Sequence, residues 1–270
     1  MRITTLLTIF LVIVSSLTGC KNKKAGKTPG TDVIQDFMTF AYGGWTVSAA
    51  EGEKLMGDFY DEAFEIEQAD SSSQVFETLT RLVENLLYDP NSELRNEDYY
   101  GVYAARLASC PFLDGQTRQK YARDARLCAL NKTGTRATDF RICDIHGNIR
   151  TLYSIDTEFV LLFFSNPGCR NCLEIIEQFN ADDTITDMID SGRLSVLNVY
   201  IDEDLQAWKD YMPVYPVTWY NGFDPDLVLR DDSIYHIRAI PSLYLLDSDK
   251  KVLLKDATPG KIMGTLAASL

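Results

Sequence analysis

Histidine and cysteine are both scarce in this chain of 270 residues, which holds two of the former and six of the latter. Six cysteines are too few to staple a fold of this length, so each has to be accounted for individually. The two histidines, His146 and His236, stand far apart and do not make a histidine-rich metal site. Basic charge is also short: 26 Lys and Arg face 39 Asp and Glu, for a net −13. That balance argues against contact with a phosphate backbone, so no nucleic-acid partner is expected. The uncharged, mostly apolar run Ile3–Leu17 is shorter than the roughly 20 residues that cross a bilayer comfortably. What is present is the balance of an ordinary globular protein, 46% hydrophobic and 24% charged. The length allows one large domain or two modest ones, and collagen, coiled-coil and multi-span membrane architectures are excluded.

The N-terminus reads as an address. Arg2 precedes the apolar run, which closes on Leu17-Thr18-Gly19-Cys20, so residues 1–19 are expected to be an export signal. The closing tetrapeptide resembles a bacterial lipobox, which implies acylation of Cys20 and a lipid anchor on the membrane. Residues 20–30 carry Lys21, Lys23, Lys24 and Lys27 without an acid and end in Pro29-Gly30, the composition of a flexible tether with a basic foot. From Thr28 onward 21 basic residues face 39 acidic ones, a net −18, so the body is more acidic than the whole.

Residues 31–131 have helical rhythm. Val75, Leu79, Leu82, Val83, Leu86 and Leu87 form one apolar stripe, with Ser71 and Gln74 as a candidate capping box and Asp89-Pro90 as the stop. Further helices are expected over 32–41, 51–65, 96–109 and 116–129, giving an all-α domain whose aromatic residues, among them Phe37, Phe59, Tyr60, Tyr99, Tyr100 and Tyr103, belong to its core. After Lys132-Thr133-Gly134 short β-rich runs alternate with helical ones. A hairpin is expected around Asp144–Asn148, buried strands at 159–164 and 194–201, helices at 204–212, 227–237 and 261–269, and a hairpin around Asp247–Lys250. Residues 132–270 should therefore form an α/β sandwich with a central mixed sheet.

Cys169-Arg170-Asn171-Cys172 follows the first buried strand and opens a helix. A helix N-terminus stabilises a thiolate, the species that attacks disulfides, which makes Cys169 the candidate nucleophile and Cys172 the resolving thiol. Arg170 adds a cation beside them. The same motif is half of a zinc site, but no second pair supplies the other half, so neither a metal nor a cofactor is expected.

Residues from about Thr138 to the C-terminus resemble a thioredoxin-fold domain, closest in style to the membrane-attached TlpA-like thiol-disulfide oxidoreductases. The resemblance rests on Ala137-Thr138-Asp139-Phe140, the Asp144-Ile145-His146-Gly147 hairpin, strand 159–164 running into the Cys-x-x-Cys, and Ile240-Pro241 before the later hairpin. It implies that Pro241 is the cis-proline facing the active-site disulfide and that the Ile240 backbone pairs with a bound partner's extended chain. Exported client proteins and a redox donor protein are the partners it implies, at an outer membrane, facing the periplasm. Gly168 and Asn171 depart from the usual aromatic and proline of the motif. Phe163 and Ile175 stand where the buried acids of thioredoxin and TlpA-like proteins would fall, and Glu174 and Glu177 read as solvated. The peroxiredoxin pattern is not met. The helical part resembles the uncharacterised N-terminal region of such lipoproteins in Gram-negative anaerobes. Cys110, Cys128 and Cys143 leave two readings open, a Cys110–Cys128 disulfide or buried inert thiols. Two alternatives to disulfide exchange also stand, a non-catalytic binding module on this scaffold and a redox-sensing lipoprotein.

Overall fold

A computed structural model describes residues 31–44, 47–231 and 234–270; the expected signal peptide, Cys20 and its tether lie outside the described residues, as does Trp45. The first region is helical throughout: α1 Thr31–Tyr42, α2 Ala49–Ala69, α3 Val75–Val83, α4 Glu97–Leu107 and α5 Gly115–Cys128. Side-chain caps fix three of the starts. Ser48 Oγ accepts the N–H of Glu51, Asn96 Oδ1 that of Tyr99, and Asp114 those of Gln116 and Thr117, satisfying donors that the first turn leaves open. The expected cap at Ser71 is not used. The Asp70 carboxylate accepts the N–H of Ser72 and shapes the turn, so α3 begins only at Val75, whose N–H is accepted by Ser73 Oγ. The apolar stripe then runs through one π-helical turn, Glu84–Tyr88, before Pro90 ends it. These helices enclose one core rich in aromatic rings, including Phe37, Phe59, Tyr60, Phe76, Tyr100 and Tyr103.

The second region is a seven-stranded sheet of order β2-β1-β5-β4-β3-β6-β7. Its strands are β1 Arg141–Cys143, β2 Ile149–Thr151, β3 Phe159–Phe164, β4 Leu194–Tyr200, β5 Tyr220–Phe223, β6 Ser242–Asp247 and β7 Val252–Leu254. The sheet is mixed, with β3, β4 and β5 parallel and β6 antiparallel to β3. Alternation along β3 explains its unbroken apolar run. Leu161 and Phe163 face a core shared with α6 Arg170–Asn180, α7 Asp183–Asp190 and α9 Pro259–Ala267, while Val160, Leu162 and Phe164 face a second core with Phe140, Leu229 and Tyr235. A strand buried on both faces has no polar side to show.

Two expectations fail here. The described residues of 227–237 form no helix. Leu227 stands at φ +55°, the Asp224 carboxylate accepts the N–H groups of Asp226 and Leu229, and the irregular chain presses Leu229 and Tyr235 onto the sheet. The short strand β5, which carries Asn221 and Gly222 and so lacks a strand-like composition, was not anticipated. It exists because Gly222 lets β1 approach: a Cβ there would lie 2.3 Å from Ile142 Cγ2 and 3.0 Å from the Cys143 carbonyl oxygen. The helix expected at 204–212 is α8 Leu205–Tyr211.

Candidate active site

The site is assembled where β3 ends and α6 begins. Ser165 continues the ladder by donating its N–H to the Val199 carbonyl at 3.2 Å, and its hydroxyl bonds the buried Asn198 side chain. Asn166 donates to Asp202 at 2.7 Å, the Cys169 N–H reaches the Asn166 carbonyl at 3.3 Å, and Gly168 supplies a left-handed residue at φ +72°. A glycine adopts that conformation without a Cβ penalty. The loop is thereby fixed so that Cys169 is the N-cap of α6, and its sulfur accepts the N–H of Cys172 at 3.2 Å.

Cys169 and Cys172 are disulfide-bonded, with Cα atoms 5.2 Å apart. The two sulfurs are not equivalent. Cys169 is half-buried, whereas Cys172 is 2% exposed and packs with Phe163, Ile175 and Ile176. When the bond is reduced, the helix terminus and the Cys172 N–H both favour negative charge on Cys169. Arg170 contributes less than its sequence position suggests. Its guanidinium turns outward, 89% exposed, to pair with Glu174 at 3.0 Å. Glu174 and Glu177 are exposed, and the two positions that could have held buried acids, Phe163 and Ile175, lie in the apolar core.

The Ile240–Pro241 peptide bond is cis. Pro241 immediately precedes β6, whose first residue Ser242 pairs with Phe164, the last residue of β3. The register therefore brings the cis bond to the same end of the sheet as the disulfide, and Ile240 packs on the core that contains both cysteines. Two groups of polar residues at this end were missed from the sequence. Asn198, a polar residue inside the apolar strand β4, bridges Ser165 and Asn221, and Asn221 in turn donates to the Pro216 carbonyl. Burial pushes the nearby Tyr215 hydroxyl above its ordinary pKa, with Ser165 and Asn198 opposing the shift. The other group surrounds Arg238. The polar interruption of an apolar run was the available signal for Asn198; nothing in the sequence flagged Arg238.

Cys110, Cys128 and Cys143 are buried free thiols, so the Cys110–Cys128 disulfide does not form. Helices α4 and α5 run antiparallel, which sets Cys128 beside Gly101 near the start of α4, whereas Cys110 follows its end. Nine residues of mostly helical chain separate those levels by about 13 Å, beyond the reach of a disulfide. Burial raises the Cys128 thiol well above its usual range, and the Glu97 charge adds to this. Among the described residues no group of three or more His, Cys, Asp or Glu could hold a metal ion, and no helix is long and apolar enough to cross a membrane.

A Cys-x-x-Cys disulfide at the start of the helix after a central buried strand, with a cis-proline opening the neighbouring antiparallel strand, defines a thioredoxin fold. No family model matches the chain, and no curated protein does. Solved structures do. A thioredoxin-like protein from Bacteroides caccae is 30% identical over 93% of this chain and 98% of its own, with a TM-score of 0.70. The C-terminal domain of an uncharacterized protein from Bacteroides fragilis is 43% identical over 51% of this chain and 98% of its own, with a TM-score of 0.49. The thioredoxin domain of a thiol-disulfide oxidoreductase from Bacteroides vulgatus is 22% identical over 51% of this chain and 97% of its own, with a TM-score of 0.46. The chain belongs to the thioredoxin-like proteins, and the first of these similarities takes in its helical region as well.

Proposed function

We propose that this protein is a thiol-disulfide oxidoreductase of the cell envelope, held to the outer membrane by acylated Cys20 and exchanging disulfides with exported proteins. The observation that carries the reading is the asymmetry of the pair: a half-buried sulfur capping a helix, bonded to a buried one, beside a cis-proline loop. In the reductive direction the Cys169 thiolate attacks a client disulfide, forming a Cys169–client bond and releasing one client thiolate. Cys172 then attacks Cys169 Sγ, the mixed disulfide breaks, and the second client sulfur leaves. Two electrons pass to the client, whose sulfurs take up the two thiol protons, and the Cys169–Cys172 bond remains. A redox donor protein reverses these steps at the same pair. Ile240 and Pro241 would line the groove that receives the client chain.

Insulin-disulfide reduction tests the reading. Cys169→Ser should fall to the uncatalysed background, and Cys172→Ser should accumulate mixed disulfides. Wild-type turnover retained by Cys169→Ser would overturn the assignment. A pair that stays oxidised at strongly reducing potential would instead favour a non-catalytic binding scaffold. The direction of exchange follows from the reduction potential of the pair, since known thiol-disulfide couples span about −270 mV for thioredoxin to about −120 mV for a strong oxidant. The anchor has its own test: Cys20→Ser should move the protein from the membrane fraction to the soluble periplasm, and unchanged fractionation would remove the lipid from the proposal.

A further inference from the structure

The cis-proline loop is tied at both stems to one carboxylate. Arg238, three residues before Pro241, donates from Nη2 to Asp256 Oδ2 at 2.6 Å, and Ser242, the residue after Pro241, donates its hydroxyl to Asp256 Oδ1 at 3.0 Å. Asp256 itself stands at φ +42°, a left-handed conformation that residues with a Cβ seldom adopt. Arg95 steadies it by donating to the carbonyls of Asp256 and Ala257 at 2.7 and 2.9 Å.

The other side of Arg238 belongs to the helical region. Its Nε donates to Glu97 Oε1 at 2.6 Å, its Nη1 to the Tyr88 carbonyl, and its guanidinium lies over the Tyr88 ring at 4.5 Å. Glu97 opens α4 and is held in turn by Lys255, 3.1 Å away, which also donates to the carbonyls of Cys128 and Leu130 at 2.7 Å each. The side chains of Glu97, Arg238, Lys255 and Asp256 are 1%, 7%, 2% and 10% exposed. With Arg95 and Asp98 at the margin, three acids balance three bases in a nearly dry site. Charges so buried require their partners, and the planar guanidinium fork reaches three of them at once, which an ammonium does not.

A weld between two regions needs no such placement. Here the bond from α4 ends on the stem of the loop that carries Ile240, and Ile240 rests on the core that holds Cys169 and Cys172. We infer that Glu97 of the helical region, acting through Arg238 and Asp256, sets the position of the cis-proline loop and thereby the affinity of the redox site for its disulfide-bearing client. Glu97, Arg238 and Asp256 are on this view positioning residues, and the helical region is part of the client-binding machinery. The inference rests on the oxidoreductase reading for its kinetic consequence but not for its structural one.

Two measurements on the full chain test it. In insulin-disulfide reduction, Arg238→Lys should raise KM about tenfold and Glu97→Gln about threefold, with kcat and the reduction potential of the Cys169–Cys172 pair unchanged. In hydrogen exchange, amides in 237–243 should exchange about tenfold faster in both variants while those of β3 hold their wild-type rates. Asp61→Asn, which removes only an exposed ion pair to Arg106, serves as the control and should change neither. Should Arg238→Lys fail to fold, Glu97→Gln and Asp256→Asn carry the test. Variants that melt earlier yet keep wild-type KM and wild-type exchange in 237–243 would show a purely structural weld and overturn the inference. An inactive wild type would overturn the oxidoreductase reading instead, and the exchange data would still decide whether Glu97 holds the loop.

Discussion

The two regions of this molecule are held together by different physics. The helical region closes on a single core of aromatic and aliphatic side chains, in which Tyr100 and Tyr103 are fully buried and rings meet edge-on or stacked, as Tyr60 does with Tyr103 and Tyr88 with Tyr100. The α/β region splits its apolar residues between two faces of a sheet whose neighbours are distant in sequence. Where the two regions meet, many of the ties are charges and hydrogen bonds: Glu97 to Arg238 and Lys255, Arg95 to Asp256, Asn131 to the Ile234 carbonyl, Tyr88 to His236. Apolar contact is non-directional and tolerates sliding, whereas a fork of short charged hydrogen bonds fixes one geometry. This join therefore specifies an orientation as well as an attachment.

Glu97→Ala should uncouple the two regions most strongly. It leaves Arg238 and Lys255 buried beside one acid too few, a loss of about 3–5 kcal/mol. In a Trp45→Phe background, whose tryptophan emission comes from Trp208 and Trp219, urea unfolding should be a single transition in which far-UV dichroism and fluorescence coincide. In Glu97→Ala the two probes should separate, because those tryptophans report the α/β region alone. Coincident curves in the variant would mean that the regions are coupled by something other than this network. A smaller effect is expected within the sheet. Gly222→Ala sets a methyl group against Ile142 and the Cys143 backbone and should cost about 1–3 kcal/mol, read as an earlier fluorescence midpoint. An unchanged midpoint would show that β1 and β2 move aside freely.

The smallest effect concerns two exposed carboxylates, one capping a helix and one in a turn. Asp114 has its pKa held below the ordinary carboxylate range by the backbone and side-chain hydrogen bonds from Thr117, and Asp144 likewise by Asn148. A carboxylate whose folded pKa is depressed adds stability that is complete above its unfolded pKa, near 4, and is lost as the pH falls through the lower folded value. Thermal midpoints should therefore decline below about pH 4. Asp114→Asn, which still caps a helix, should flatten the part of that decline seen by dichroism in the helical region. A slope identical to wild type would exclude Asp114 as a contributor.

Much of this architecture was legible in the residues. Strand 159–164, the Cys-x-x-Cys at its helix junction and the turn at Asp247–Lys250 are local features with short-range causes, whereas the cis bond at Pro241 was expected only from the resemblance to thioredoxin-fold proteins. The helix expected at 227–237 is absent from the described residues of that stretch, because its apolar spacing serves the sheet's far face through Leu229 and Tyr235 rather than a helical stripe. Strand β5 was missed because its eligibility rests on the absence of a side chain at Gly222, which matters only once β1 lies across it. Cys110 and Cys128 looked pairable until the antiparallel course of α4 and α5 set them at opposite levels.

Local sequence was enough for most of the helices and strands and for the place of Cys169 and Cys172 at the start of a helix, because each depends on neighbours within a few positions along the chain. Packing between segments of the fold settled that three other cysteines stay reduced and apart, and that Arg238 joins α4 to the cis-proline loop. Those outcomes depend on which buried groups the fold brings face to face, as with Glu97 and Arg238, 141 residues apart. Burial fixes their energies, because a charge removed from water must find its partner wherever the fold has put it.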